Sequence, residues 1–219
     1  IQFGDVYESN VYAFFNTEID FGKWMINPSI RADYFNFEYN NHLDTDYKTK
    51  SLSALLPSPK LNIIYHPIKN LQIFLKNGIG FHSNDTRVSI AKTANEVLPK
   101  VLGNDLGIMW KPYQKLIIHS ALWSILSEQE FVYVGDEGVV EPGGASHRMG
   151  IDFGLRMQLN DWIFAYADLN YCLAKALEEP AGSNYIPLAP DFTSTGGLSF
   201  HHHTGIEGGI RYRYVDNRP

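Results

Sequence analysis

Strict alternation of apolar and polar residues between Gly150 and Tyr171 constrains the fold of this chain more than any other feature. Every second position of the first half is apolar: Ile151, Phe153, Leu155, Met157 and Leu159. Because successive side chains of a strand point to opposite faces, this run predicts a strand with one apolar and one polar face. Asn160-Asp161 predicts a tight turn, after which the alternation resumes at Ile163. The apolar face of this β-hairpin must lie against a second sheet or against lipid.

The same alternation recurs along the chain and predicts ten strands and no helix. The predicted strands are 11–21, 24–34, 60–65, 71–81, 102–110, 116–133, 150–160, 163–178, 192–200 and 206–214. Tight turns at 22–23, 66–70, 111–114, 160–161 and 202–205 alternate with long loops at 40–57, 82–100, 134–147 and 178–190. Such segregation of short turns and long loops is typical of outer-membrane barrels, and a soluble sandwich has no reason to show it.

Strand length and aromatic content also favour a sheet that crosses a membrane. Several predicted strands reach the ~9–11 residues that span a bilayer at a tilt, whereas globular strands average ~5–6 residues. Aromatic residues make up 14% of the chain and collect near the predicted strand ends, where amphipathic rings favour the headgroup level. Aromatic residues are also common in soluble strands, so a soluble β-domain that binds a partner remains an alternative.

Composition excludes several other classes of protein. The chain has one cysteine, Cys172, which excludes an internal disulfide and a cysteine metal cluster. A net charge of −6 argues against nucleic acid as a partner. No run approaches the ~20 apolar residues of a membrane helix.

Five motifs, taken in chain order, resemble the barrel of TonB-dependent outer-membrane receptors. They are G-I-G-F-H-S-N-D-T-R at 78–87, G-I-M-W-K-P at 107–112, E-P-G-G-A-S-H-R-M-G at 141–150, I-P-L-A-P at 186–190 and Y-R-Y-V-D-N-R-P at 212–219. Such receptors close about twenty-two strands around a plug domain. The resemblance therefore implies an all-β, antiparallel up-and-down transmembrane β-barrel, of which this chain supplies about ten strands. We expect residues 1–219 to be a segment of that barrel domain, with no plug domain, TonB box or closing strand.

The resemblance also implies a function in the outer membrane of a Gram-negative bacterium. It implies TonB-energised uptake of a scarce nutrient such as an iron-siderophore, haem or another metal chelate. The expected partners are that small molecule, outer-membrane lipid, and the TonB complex through a plug domain outside this chain. The resemblance implies neither an enzyme nor a bound cofactor. A passive porin or a small stand-alone barrel is the alternative among membrane proteins.

Two groups of residues are candidates for ligand contact at the loop mouth. His82, Asn84, Asp85 and Arg87 follow a predicted strand and either touch the ligand or form a hydrogen-bonded turn. Phe131 and Tyr133, at the end of a long predicted strand, either stack on a flat ligand or lie at the headgroup level. The charged residues on polar faces are predicted to line the lumen: Arg31, Asp33, Asp152, Arg156, Asp168 and Arg211.

Neither a metal site nor a catalytic site is predicted. In a strand, His201 and His203 would point the same way and could share an ion, but a solvated turn explains the tract better. The pairs His82-Ser83 and His119-Ser120 are neighbours in a strand, so their side chains would point to opposite faces. The sequence contains no G-x-S-x-G elbow and no phosphate-binding loop.

Overall fold

The computed structural model describes residues 3–43, 49–82, 98–129, 131–134, 139–142, 144–187 and 189–217. The described part is all β. Its strands are β1 (Gly4–Asn16), β2 (Ile19–Phe21), β3 (Trp24–Asn41), β4 (Thr49–Ile68), β5 (Leu71–Phe81), β6 (Lys100–Tyr113), β7 (Leu116–Ser127), β8 (Phe131–Val134), β9 (Val139–Pro142), β10 (Ser146–Gln158), β11 (Ile163–Ala176), β12 (Phe192–His201) and β13 (Glu207–Val215). No helix in these ranges is long and apolar enough to span a membrane.

The strands form an antiparallel up-and-down sheet, as predicted. An 11-stranded sheet has the order β1-β3-β4-β5-β6-β7-β10-β11-β12-β13, with the short β2 paired to β3. Strands β8 and β9 form a separate two-stranded sheet within the connection from β7 to β10. Because each strand reverses direction, the tight turns lie at one edge of the sheet and the long connections at the other. The predicted alternation of short and long connections is confirmed.

Several predicted strand bounds are wrong. The segment 49–57, predicted as part of the loop 40–57, belongs to β4, which pairs with β3 as far as Thr49 opposite Asn40. The reason is that Leu52, Ala54 and Leu56 alternate towards an apolar cluster, a pattern that the intervening serines and prolines obscure. Strand β1 likewise begins at Gly4, earlier than predicted, because its first residues pair with the end of β3.

The predicted end of the strand 116–133 is also wrong, because β7 ends at Ser127. There the backbone N–H of Glu128 donates to the Lys100 carbonyl, and Ser127 Oγ donates to the Gln129 carbonyl at 2.7 Å. The first bond is the last between β6 and β7, and beyond it the chain leaves the main sheet. The next residues enter the hairpin of β8 and β9.

The two faces of the main sheet differ sharply. A row of apolar Cα partners crosses five adjacent strands through Leu75, Leu106, Leu122, Ile151 and Tyr171. These side chains are between 42% and 58% exposed. Soluble monomers rarely leave so extended an apolar face in water, whereas lipid requires one.

Buried apolar residues lie on the other face, near the edge with the long connections. Phe37 is fully buried, and it packs with Phe35, Leu56 and Leu98. Phe81 meets Phe35 edge to face with ring centroids 5.6 Å apart. This cluster fixes the end of the long connection between β5 and β6 against the hairpin of β3 and β4.

Candidate functional site

The polar face of the sheet carries the six charged residues that were predicted to line a lumen. The register places them on one face, where Arg156, Tyr166, Gly197 and Arg211 form one row of Cα partners. The other four residues share that face: Arg31, Asp33, Asp152 and Asp168. That this face encloses a lumen stays a prediction.

Asp33 is the centre of one polar cluster. Its side chain is 1% exposed and receives two hydrogen bonds from Arg31, from Nε at 2.7 Å and from the guanidinium Nη2 at 2.8 Å. Asn10 on β1 donates to the same carboxylate at 3.3 Å. The Arg31 guanidinium also lies over the Tyr12 ring, 3.8 Å from its centroid. A buried carboxylate needs such donors, so the cluster joins β1 to β3.

Replacing Asp33 with Asn tests this cluster. We expect Asp33→Asn to lower the melting temperature of the purified protein by about 2–4 °C, because the buried acceptor loses its charge and its ion pair with Arg31. Asp168→Asn is the matched control, because Asp168 and its partner Arg156 are 39% and 46% exposed. Water can solvate Arg156 when this exposed ion pair is lost, so the melting temperature of the control should stay close to that of the parent protein. Equal shifts for the two variants would contradict the account.

A second polar cluster spans β7, β10 and β11. Trp123 Nε1 donates to Asp152 Oδ1 at 3.1 Å, and Asn170 donates to the same oxygen. On the same face, Arg156 and Asp168 form a two-pronged ion pair, with Nη1–Oδ1 and Nη2–Oδ2 distances of 2.9 and 3.0 Å. These bonds connect neighbouring strands and make the polar face a rigid, hydrogen-bonded wall.

Two cavities adjoin this wall. One of about 580 Å³ lies against β1, β3, β4 and β5, and its lining includes Arg31, Ser58 and Lys60. The other, about 240 Å³, has His119, Asp152 and Asp168 in its lining. The first cavity is large enough for part of a small ligand. Its exposed lysine suits an anionic one, because Arg31 already pairs with Asp33.

The predicted loop-mouth residues are only partly described. His82 directly follows β5, and its backbone N–H donates to the Pro99 carbonyl at 3.1 Å across the start of the long connection. This bond continues the pairing of β5 with β6 by one residue pair, and the hydrogen-bonded turn stays a prediction. Asn84, Asp85 and Arg87 lie outside the described residues, and their contact with ligand stays a prediction.

Phe131 and Tyr133 lie in β8, opposite Pro142 and Val140 of β9. They therefore belong to a hairpin within a long connection rather than to a strand of the main sheet. Their predicted contact with a ligand stays untested.

The histidine tract lies at the tight turn between β12 and β13. His201 Nδ1 lies 3.1 Å from Glu207 Oε2, and the rings of His202 and His203 are 4.1 Å apart. His202 Nδ1 lies 2.8 Å from Thr204 Oγ1. No group of three or more potential metal ligands occurs among the residues with described positions.

One polar contact was not predicted and lies on the apolar face. Ser124 Oγ on β7 and His147 Nε2 on β10 are 2.8 Å apart. Asn104, the Cα partner of Ser124 on β6, accepts a hydrogen bond from Asn77 on β5. These residues are far apart in sequence, so only the strand register brings them together.

The family assignment agrees with this architecture. All residues from 1 to 219 match the family model described as TonB dependent receptor-like, beta-barrel. The chain belongs to this TonB-dependent receptor family. This family consists of receptors and transporters rather than enzymes. No curated protein sequence matches the chain.

Solved structures show the same fold. The chain is similar to the ferric citrate transporter FecA, with 20% identity, a TM-score of 0.75, and coverage of 90% of this chain and 31% of FecA. It is similar to the ferric-catecholate import receptor Fiu of E. coli, with 17% identity, a TM-score of 0.71, and coverage of 97% and 34%. It is also similar to the siderophore receptor PiuA of Acinetobacter baumannii, with 18% identity, a TM-score of 0.72, and coverage of 96% of this chain and 33% of PiuA. The chain thus spans about a third of the length of these proteins.

Proposed function

We propose that this chain forms part of the wall of an outer-membrane barrel in a Gram-negative bacterium. The barrel takes up a small metal chelate, with energy supplied by TonB through a plug domain outside these residues. The observation that carries the proposal is the pairing of an exposed apolar face with a hydrogen-bonded polar face in a chain of this receptor family. The chain contributes a rigid wall and does no chemistry on its substrate.

The apolar face supports the location in a membrane. Leu122 and Ile151 are Cα partners near the middle of β7 and β10, and both are exposed. Towards the tight-turn edge, the face carries aromatic rings, among them Trp24 stacked on Tyr65 with centroids 4.3 Å apart. Apolar side chains at mid-strand with aromatic rings near the ends match a lipid core between two headgroup layers.

The polar face supports an anionic substrate such as a metal chelate. Lys60 and the hydroxyl of Ser58 line the cavity beside β1 and β3. The structures that the chain resembles are described as transporters or receptors of ferric citrate, ferric catecholate and siderophores. Ammonium and hydroxyl donors suit the carboxylate and phenolate oxygens of such ligands.

Uptake of radioactive iron by whole cells tests the transport proposal. Ferric citrate and a ferric catecholate are the probes, with cells that carry or lack the gene and carry or lack TonB. We expect cells to take up one of the two chelates only when they carry both the gene for this protein and TonB. Uptake that persists without TonB would identify a passive channel, and no gene-dependent uptake of either chelate would contradict the choice of iron chelates.

A lysine variant tests whether the polar face takes part. We expect Lys60→Gln to raise the chelate concentration for half-maximal uptake about fivefold, because an anionic ligand loses one charged donor. Lys115→Gln is the matched control. Lys115 lies in the tight turn between β6 and β7, where it pairs with Asp161, and it does not line the cavity. An unchanged half-maximal concentration in Lys60→Gln would exclude this part of the face from the ligand path.

A further inference from the structure

A groove on the apolar face is lined mainly by apolar side chains. Its one acidic lining residue, Asp105, is the Cα partner of Trp123 and belongs by register to the polar face. The groove has a volume of about 450 Å³ and runs across β5, β6, β7, β10 and β11. Its apolar lining comes from Leu75, Leu106, Leu122, Met149, Ile151 and Leu173. A groove of this kind fits a hydrocarbon chain lying along the sheet.

A polar boundary lies on the side of the long connections. Asn104 and Ser124 line the groove, and Ser124 bonds His147 at 2.8 Å. Polar groups on a lipid-facing surface are costly unless they find polar partners. Asn104 and Ser124 each have hydrogen-bonding capacity beyond the single bonds described, so a polar group of a lipid can complete their bonding.

A histidine and a lysine extend this boundary. His147 and Lys175 are Cα partners on β10 and β11, each two residues beyond a groove-lining residue on the same face. The Lys175 ammonium lies over the Tyr185 ring, 3.4 Å from its centroid, which keeps its charge in place. Two acidic groups near this edge each accept one backbone N–H: Glu128 from Lys100, and Glu178 from Ala145.

We propose that this groove is a binding site for a membrane lipid with a net negative phosphate headgroup. One acyl chain lies along the groove, and the phosphate accepts hydrogen bonds from Lys175 and Ser124. The Ser124 hydroxyl is free to donate to the phosphate when His147 Nε2–H donates to Ser124 Oγ. The site binds the lipid and does not cleave it.

This inference rests on the proposed membrane location and is independent of the transport function. Anionic lipid at a basic patch gains roughly 1 kcal/mol per cation, which corresponds to about a fivefold change in affinity. The site would also fix how the barrel wall sits among neighbouring lipids.

Native mass spectrometry of the purified, delipidated protein tests the site. The probes are phosphatidylglycerol, which is anionic, and phosphatidylcholine with the same acyl chains, which is zwitterionic. We expect the parent protein to bind phosphatidylglycerol at least about fivefold more tightly, and Lys175→Gln to remove most of that preference. Leu122→Trp, which fills the groove, should weaken binding of both lipids.

The matched control is Lys76→Gln, which removes the same charge from the polar face, where Lys76 lies over the Phe74 ring. It should leave lipid preference unchanged. Equal affinity for the two lipids, or an equal loss in Lys76→Gln and Lys175→Gln, would overturn the proposal. A protein that stays soluble without detergent would instead overturn the membrane location itself, so the two failures are distinguishable.

Discussion

Ile151→Arg lowers the free energy of unfolding of the protein in a bilayer by about 2–4 kcal/mol. Ile151 lies near the middle of β10 on the apolar face, between its Cα partners Leu122 and Tyr171. A guanidinium there must leave water for hydrocarbon, with no acid among these neighbours to pair with it. Unfolding by denaturant in lipid vesicles measures the change.

The matched control places the same substitution on the other face. Ile125 on β7 has an exposure of 37%, close to the 42% of Ile151, but its Cα partners are Gly103 and Arg148 on the polar face. Ile125→Arg should cost less than about 1 kcal/mol, because water can reach the new charge there. A similar loss in the two variants would mean that the faces are wrongly assigned to lipid and water.

Gly150→Ala destabilises the sheet by about 1–3 kcal/mol. A methyl group at Gly150 would lie 2.2 Å from the Tyr171 carbonyl oxygen and 2.6 Å from the Trp123 ring. The carbonyl belongs to the ladder between β10 and β11 and cannot move alone, while Trp123 is held by its bond to Asp152. The substitution therefore forces a backbone shift and weakens the second polar cluster. Thermal unfolding in detergent measures the loss.

Gly103→Ala is the control for this substitution. Gly103 also lies within a strand on the polar face, but no atom lies within 4 Å of a methyl group built there. Since alanine also restricts the unfolded chain more than glycine does, Gly103→Ala should leave stability unchanged or raise it slightly. If both variants lose stability equally, steric contact at Gly150 is not the cause.

The alternation of residue types predicted the fold because the two faces of a strand meet different surroundings. It placed Ile151 and Asp152 on opposite faces, and the register confirms this. Alternation failed in 49–57, where Leu52 and Leu56 face an apolar cluster on the otherwise polar side. The alternation also predicted a single strand that continues past Ser127, because it does not show where a chain leaves one sheet for another.

The polar faces were predictable, but among their contacts only those between residues close in sequence were. Asp33 and Arg31 lie two residues apart, so their pairing follows from strand geometry. The contacts of Trp123 with Asp152 and of Ser124 with His147 depend on the register between β7 and β10. A long connection joins these strands, so no tight turn fixes their register in the sequence.

Labelling of single cysteines on intact cells tests the central claim, that the sheet spans the outer membrane with its long connections outside. Ser183 lies in the connection between β11 and β12, Thr204 lies in the turn between β12 and β13, and both are exposed. In a Cys172→Ser background, a membrane-impermeant maleimide should label Ser183→Cys on intact cells and Thr204→Cys only after permeabilisation. Labelling of Thr204→Cys on intact cells with protection of Ser183→Cys would reverse the orientation. Protection of both until the cells are lysed, with the protein in the soluble fraction, would contradict the membrane account altogether.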